Sequence, residues 1–158
     1  MKNKIIISIQ PKYIEKIFSR EKRYEYRKSF PEGVKVMFLY ATAPIKKIVG
    51  IALVEKVLRG RKEEIWEKTN LQGGISKAEY ERYLYDHRDV CAVKINSVWR
   101  LSDPVELKFK PPQSYMFLSE AKKFAITDNE IVEAWSESNI EDPINILFPG
   151  YIEIKIEE

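Results

Sequence analysis

The chain has 158 residues, 44% hydrophobic and 32% charged, with a formal net charge of +3, one Cys and one His. That length suits a single domain burying about two thirds of its unfolded surface. A lone cysteine excludes an internal disulfide, and one His with one Cys cannot assemble the usual zinc ligand set. No structural metal and no cofactor are expected. The net charge conceals an asymmetry: residues 1–62 hold 16 Lys or Arg against 5 acids, and residues 63–158 hold 11 against 19. A segment at +11 can make several phosphate contacts and release their counterions, which points to polyanionic partners unless the fold spreads that charge over the whole surface. The acidic second half offers a contact to a protein partner.

Taken in order, Met1-Lys2-Asn3-Lys4 before Ile5-Ile6-Ile7 is basic then apolar. The apolar run is too short for a signal peptide and reads as a strand to Gln10 of a cytoplasmic, soluble protein with no membrane partner. Pro11 suits a first helical position, and Ile14, Ile17 and Phe18 form an inward stripe. After Pro31-Glu32-Gly33, residues Val34 to Ala41 read as a strand apolar on both faces, hence central. Lys46 to Leu58 reads as a longer strand in which Gly50 marks a bulge or a close backbone approach. Arg61 to Thr69 is predicted helical, and Ser76-Lys77-Ala78-Glu79 is a capping box opening a helix to about Tyr85. Val90 to Leu101 is a strand, in which Cys91 is a small buried side chain. Pro104 to Phe109 is a further short strand, and the barrel strands end near Lys110. Beyond Pro111-Pro112, residues Ser119 to Phe124 and Asp128 to Ser136 read as short helices, the second behind a capping box at Thr127 to Glu130. Tyr151, Ile152, Ile154 and Ile156 mark a last strand.

The most informative stretch is Arg20-Glu21-Lys22-Arg23-Tyr24-Glu25-Tyr26-Arg27. In an extended segment Glu25 and Arg27 point to one face and Tyr24 and Tyr26 to the other. Lys22 then sits in the turn that ends the preceding helix and reaches round to the carboxylate. The plain alternative is a solvated, aggregation-resistant edge.

The pattern Lys22-x-x-Glu25-x-Arg27 after a helix and a turn resembles the signature of the ASCH domain, the activating-signal-cointegrator homology family. Ile7 to Tyr13, Tyr40-Ala41-Thr42-Ala43-Pro44, Ile48-Val49-Gly50 and Pro111 to Tyr115 strengthen it, over about residues 5 to 118. One departure is that Arg20-Glu21 stands where the family usually has a glycine before the motif lysine. The resemblance implies an α+β fold: a PUA-like small β-barrel with flanking helices over residues 1–110. Residues 111–158 would be a short helical extension packed on the same domain and able to pair back onto the barrel. It also implies a cleft between barrel and first helix and a nucleic-acid-related role, including RNA binding in transcription or translation regulation.

Lys22 and Arg27 can bind phosphate as point charge and fork. Glu25 would hold those cations, accept from a base amino group, or serve as a general base. The candidate nucleic-acid-binding residues are Lys22, Arg23, Glu25, Arg27, Tyr40 and Thr42, with a basic turn at Arg59, Arg61 and Lys62. Lys22 and Glu25 are catalytic only if the chain is an enzyme. Tyr24, Tyr26 and Tyr40 could stack on unpaired bases, although core packing is the commoner fate of such tyrosines. RNA or single-stranded nucleic acid is the expected partner. The alternative is an enzyme in the same cleft. It would be a metal-independent ribonuclease, or an amidohydrolase on a modified nucleoside resembling small family members with Lys-x-x-Thr, where Glu25 here replaces the nucleophilic threonine.

Overall fold

The computed structural model describes residues 3–118 and 131–137. Its elements are β1 (Lys4–Ile9), α1 (Pro11–Phe18), β2 (Tyr24–Arg27), β3 (Val36–Ala41), β4 (Lys47–Arg61), α2 (Lys62–Thr69), a 3-10 turn (Asn70–Gln72), α3 (Lys77–Tyr83), β5 (Asp89–Val105), β6 (Tyr115–Phe117) and β7 (Ile131–Ser136). The strands form one mixed sheet in the order β2-β5-β4-β3-β1-β6, with β7 paired to β5 off that path. Only β1 and β3 run parallel among these pairs. β5 carries β4 along one edge, and its other edge is shared by β2 at Cys91 to Lys94 and β7 at Ser97 to Leu101. Register shifts between Ile48 and Gly50, and twice more between Leu53 and Lys56, mark bulges in β4. Bulges raise local twist and bend the long strand, so the sheet curls into a half-barrel.

Gly50 confirms the close approach read from the sequence. A Cβ there would lie 2.7 Å from both Phe18 Cζ and the Trp99 carbonyl oxygen, so only glycine lets α1 seat its last ring on the sheet. Alternation along β1 sends Ile5, Ile7 and Ile9 to a core shared with Ile14, Ile17 and Phe18 of α1, while Ile6 joins Phe38, Ile51 and Trp99 on the opposite face. β3 is buried along its whole length, as a strand apolar on both faces must be. α2 and α3 close a third cluster in which Ile65 and Tyr80 pack on Tyr24 and Tyr26. Ser76 caps α3 by accepting the Glu79 N–H at 3.1 Å, as the capping box predicts.

Three expectations need correction. The helix expected over Asp128 to Ser136 is strand β7 from Ile131 onward, because the free edge of β5 offers backbone partners and Trp135 buries its ring there, its Nε1 donating to the Ile17 carbonyl at 2.8 Å. The two strands expected over Val90 to Phe109 are one strand ending at Val105. Pro104 is tolerated because it lies between the Arg100 and Val105 pairings, where the ladder skips. Strands also continue past Lys110, since β6 pairs β1. The expected helix at Ser119 to Phe124, the capping box at Thr127 to Glu130 and the strand at Tyr151 to Ile156 lie outside the described residues.

Candidate functional site

The turn after α1 is built by hydrogen bonds from Ser19 N–H to the Glu15 carbonyl and from Lys22 N–H to the Lys16 carbonyl, both 2.9 Å. Arg20 takes φ +71°, a left-handed backbone that glycine adopts more readily than a residue with a side chain. The turn aims Lys22 inward. Its Nζ donates to the Gly73 carbonyl at 2.7 Å, lies 3.6 Å from Glu25 Oε1, and stands over the rings of Tyr26 and Tyr13 at 4.9 and 5.5 Å. Gly74 is moulded to it: at φ +64°, a Cβ on this residue would meet Lys22 Cβ at 2.5 Å.

The alternation of β2 fulfils the sequence expectation. Tyr24 and Tyr26 enter the cluster beneath α2 and α3, and Glu25 and Arg27 face the other way. Arg27 Nη1 donates to Glu25 Oε2 at 3.1 Å and to the Ser8 carbonyl at 3.3 Å, while Nη2 donates to Ser114 Oγ at 2.6 Å. Ser8 in turn donates its hydroxyl to the Pro112 carbonyl at 2.7 Å, so β1, β2 and the 111–114 segment meet at the guanidinium. The side chains of Lys22, Glu25 and Arg27 are 2, 8 and 9% exposed, which excludes a solvated edge. Burial pushes the Lys22 ammonium below its ordinary value of 10.5, and the facing Glu25 carboxylate opposes that shift.

These three side chains floor a cleft of about 520 Å³, walled by Ser8, Tyr13, Thr42 and Ser114 and bordered by Lys28 and Tyr83. Tyr13 also ties α1 to α3, because its hydroxyl and Lys12 Nζ both donate to Glu79, holding that carboxyl down at about 2. A hollow of about 450 Å³ adjoins the cleft, sharing Ser8, Thr42 and Gln113 and adding Tyr40, Lys46 and Pro112.

Of the residues singled out from sequence, Lys22, Glu25, Arg27 and Thr42 come together in the cleft, and Tyr40 lines the adjoining hollow. Arg23 turns away to pair with Glu137 beside Trp135. Arg59 donates to the Phe30 carbonyl at 2.8 Å and pairs with Glu32 at 3.3 Å, Arg61 immediately precedes α2, and Lys62 pairs with Glu81 at 3.0 Å. None of these four lines the cleft. Tyr24, Tyr26 and Tyr40 are all nearly fully buried, with Tyr26 also showing an edge to the cleft as Tyr40 does to the hollow. Sequence reasoning did not assign a role to Ser8, Tyr13, Gln113 or Ser114, although all lie within the stretches that carry the family resemblance. Nothing in the sequence marked Lys28, and Tyr83 read only as part of the apolar side of the helix that Ser76 opens.

The curled mixed sheet with three helices is an α+β fold of the ASCH/PUA-like type. No family model matches the chain. The crystal structure of ASCH from Zymomonas mobilis superposes with a TM-score of 0.70 at 24% identity, covering 76% of this chain and 90% of that one. Among curated proteins, the ASCH domain-containing ribonuclease of Zymomonas mobilis is 25% identical over 126 residues, 72% of this chain and 82% of that protein. The large ribosomal subunit protein uL22 of Ureaplasma parvum is 32% identical over 121 residues, but the chain spans only 39% of its length. The chain is an ASCH-domain homologue.

Proposed function

We propose that the chain binds single-stranded RNA, holding one unpaired nucleotide in the cleft floored by Lys22, Glu25 and Arg27. The observation that carries this reading is the burial of three charged side chains at the base of an open cleft instead of within a core. Taking ions out of water costs several kcal/mol each, and their placement at a cavity of ligand size, within the ~300–1,000 Å³ typical of binding sites, points to a bound group that uses them. The net charge of this trio is positive, Arg27 offers a fork suited to phosphate, and Ser8, Thr42 and Ser114 supply hydroxyls around it. The likeness to a protein named a ribonuclease supports RNA as the polymer.

RNA cleavage at the same floor is the second reading, favoured by the lowered pKa of Lys22 and by that relative's name. A neutral Lys22, or Glu25, would take the proton from a ribose 2′-hydroxyl as its oxygen attacks the adjacent phosphorus. Arg27 would stabilise the added phosphorane charge, the P–O5′ bond would break as the 5′-oxygen takes a proton from water, and the base would return its proton to solvent. The amidohydrolase reading keeps Thr42 in the cleft but has no hydroxyl at Glu25, where the resembling enzymes carry theirs.

The test is a salt titration against labelled single-stranded and duplex RNA and DNA, with the bound RNA run on a denaturing gel. Salt-sensitive binding that favours single-stranded RNA, with the RNA intact, supports the binding module. Cleavage lost in Glu25→Gln with binding retained selects the nuclease. No binding to any polymer at low salt overturns both.

A further inference from the structure

The tyrosines that the sequence suggests for base stacking are too deeply buried to offer a ring face, yet the cleft does have an exposed aromatic. Tyr83, the last residue of α3, borders the cleft and is 40% exposed, with Lys28 Nζ 5.5 Å from its ring centroid. Across the floor, the adjoining hollow shares Ser8, Thr42 and Gln113 with the cleft, so the two cavities form one continuous depression. The hollow brings its own cation: Lys46 is exposed, carries no ion pair among the described residues, and sits on the turn between β3 and β4. The carboxylate that faces Tyr40 from the neighbouring segment is Glu106.

Resting on the RNA reading above, we propose that the depression holds two linked subsites for consecutive unpaired nucleotides. One base stacks on Tyr83 at the cleft, their linking phosphate lies over Arg27, and the next nucleotide occupies the hollow with its phosphate toward Lys46. The ligand is therefore an oligonucleotide step and not a free nucleoside or mononucleotide. A flat aromatic rim with an adjacent ammonium accepts any base through its π face, which gives stacking without sequence choice. A depression with cationic side chains at its floor and in the adjoining hollow suits a phosphodiester chain, which repeats its negative charge, better than a single small molecule. The floor itself stays closed to duplex, because stacked, paired bases cannot reach a concave pocket.

The experiment compares uridine 3′-monophosphate, the dinucleotide UpUp, which keeps a 3′-phosphate on its second nucleotide, and a U6 oligomer by titration calorimetry at low salt, with the wild-type chain and three variants. UpUp is expected to bind at least 10-fold tighter than the mononucleotide. Lys46→Asn, which tolerates the left-handed φ of +54° at that position, should remove most of that gain and leave mononucleotide affinity unchanged. Tyr83→Leu should weaken both ligands by about 5- to 150-fold, while Tyr83→Phe, which keeps the ring, should bind like wild type. Equal affinity for UpUp and the mononucleotide, or a Tyr83→Leu variant that binds as wild type, overturns the two-subsite arrangement while U6 binding still supports the RNA reading. Failure to bind U6 as well overturns the RNA reading itself.

Discussion

Replacing Glu25 by Gln removes one anion from between two buried cations. With Glu25 Oε atoms 3.6 Å from Lys22 Nζ and 3.1 Å from Arg27 Nη1, each attraction is about 5 kcal/mol at an effective dielectric constant of about 20. Desolvation of the three ions offsets much of that total, so the trio as a whole adds little net stability. Removing one partner is different, because the remaining charges stay buried without compensation, at about 3–5 kcal/mol. Gln keeps a carbonyl acceptor for one of them, so the lower end, about 3 kcal/mol, is expected for Glu25→Gln. For a chain of this length that lowers Tm by roughly 6–12 °C. The deficit should also depend on pH. Without the carboxylate, burial pushes the Lys22 pKa further below 10.5, so between that value and 10.5 the unfolded chain binds the extra proton. Stability of the variant therefore rises with pH through that window, and its gap to wild type narrows from pH 7 toward pH 10. Urea denaturation of both proteins at pH 7, 8.5 and 9.5 measures this. Adding Lys22→Met to Glu25→Gln should recover at least about 1 kcal/mol at pH 7 by removing the stranded ammonium. A loss below about 1 kcal/mol at pH 7, or a gap that stays constant with pH, would refute the claim that these charges are buried and coupled.

Burial raises Tyr26 to about 12, so its folded form holds a proton that the unfolded chain loses near 10. That contribution is fully present below pH 10 and disappears as pH climbs to 12, by up to about 3 kcal/mol, and a Tyr26→Phe variant should show a shallower alkaline slope in denaturation midpoints. Gly50→Ala drives a methyl into Phe18 and the Trp99 carbonyl, and should cost about 1–3 kcal/mol or more by thermal denaturation. Arg20→Gly relieves a left-handed backbone at a cost of one weak ion pair to Glu137 at 3.7 Å, so a net gain of about 1 kcal/mol is expected; a loss would mean that the Arg20 contact with Trp135 outweighs the backbone term.

The local chemistry of this chain determined a great deal by itself. Period-two alternation in Tyr24 to Arg27 assigned the aromatic and ionic faces before any partner was known, because a pleated strand admits no other arrangement. The positive charge of residues 1–62, the inward stripe of α1, the Ser76 cap and the Gly50 approach were equally local. What only the tertiary structure decided was where distant segments meet. Ser114 reaches Arg27 across 87 positions, and Gly73 receives Lys22 across 51, contacts with no signature in periodicity. Residues from Ile131 to Ser136 look helical in isolation, and the free edge of β5 makes them a strand, since unpaired backbone groups on an edge outweigh a weak helix preference. Arg59 and Lys62 read as free basic residues, but folding supplies Glu32 and Glu81 as neighbours. Burial is a property of the assembled sheet, and it turned three charges that a strand would ordinarily show to water into the floor of a cleft.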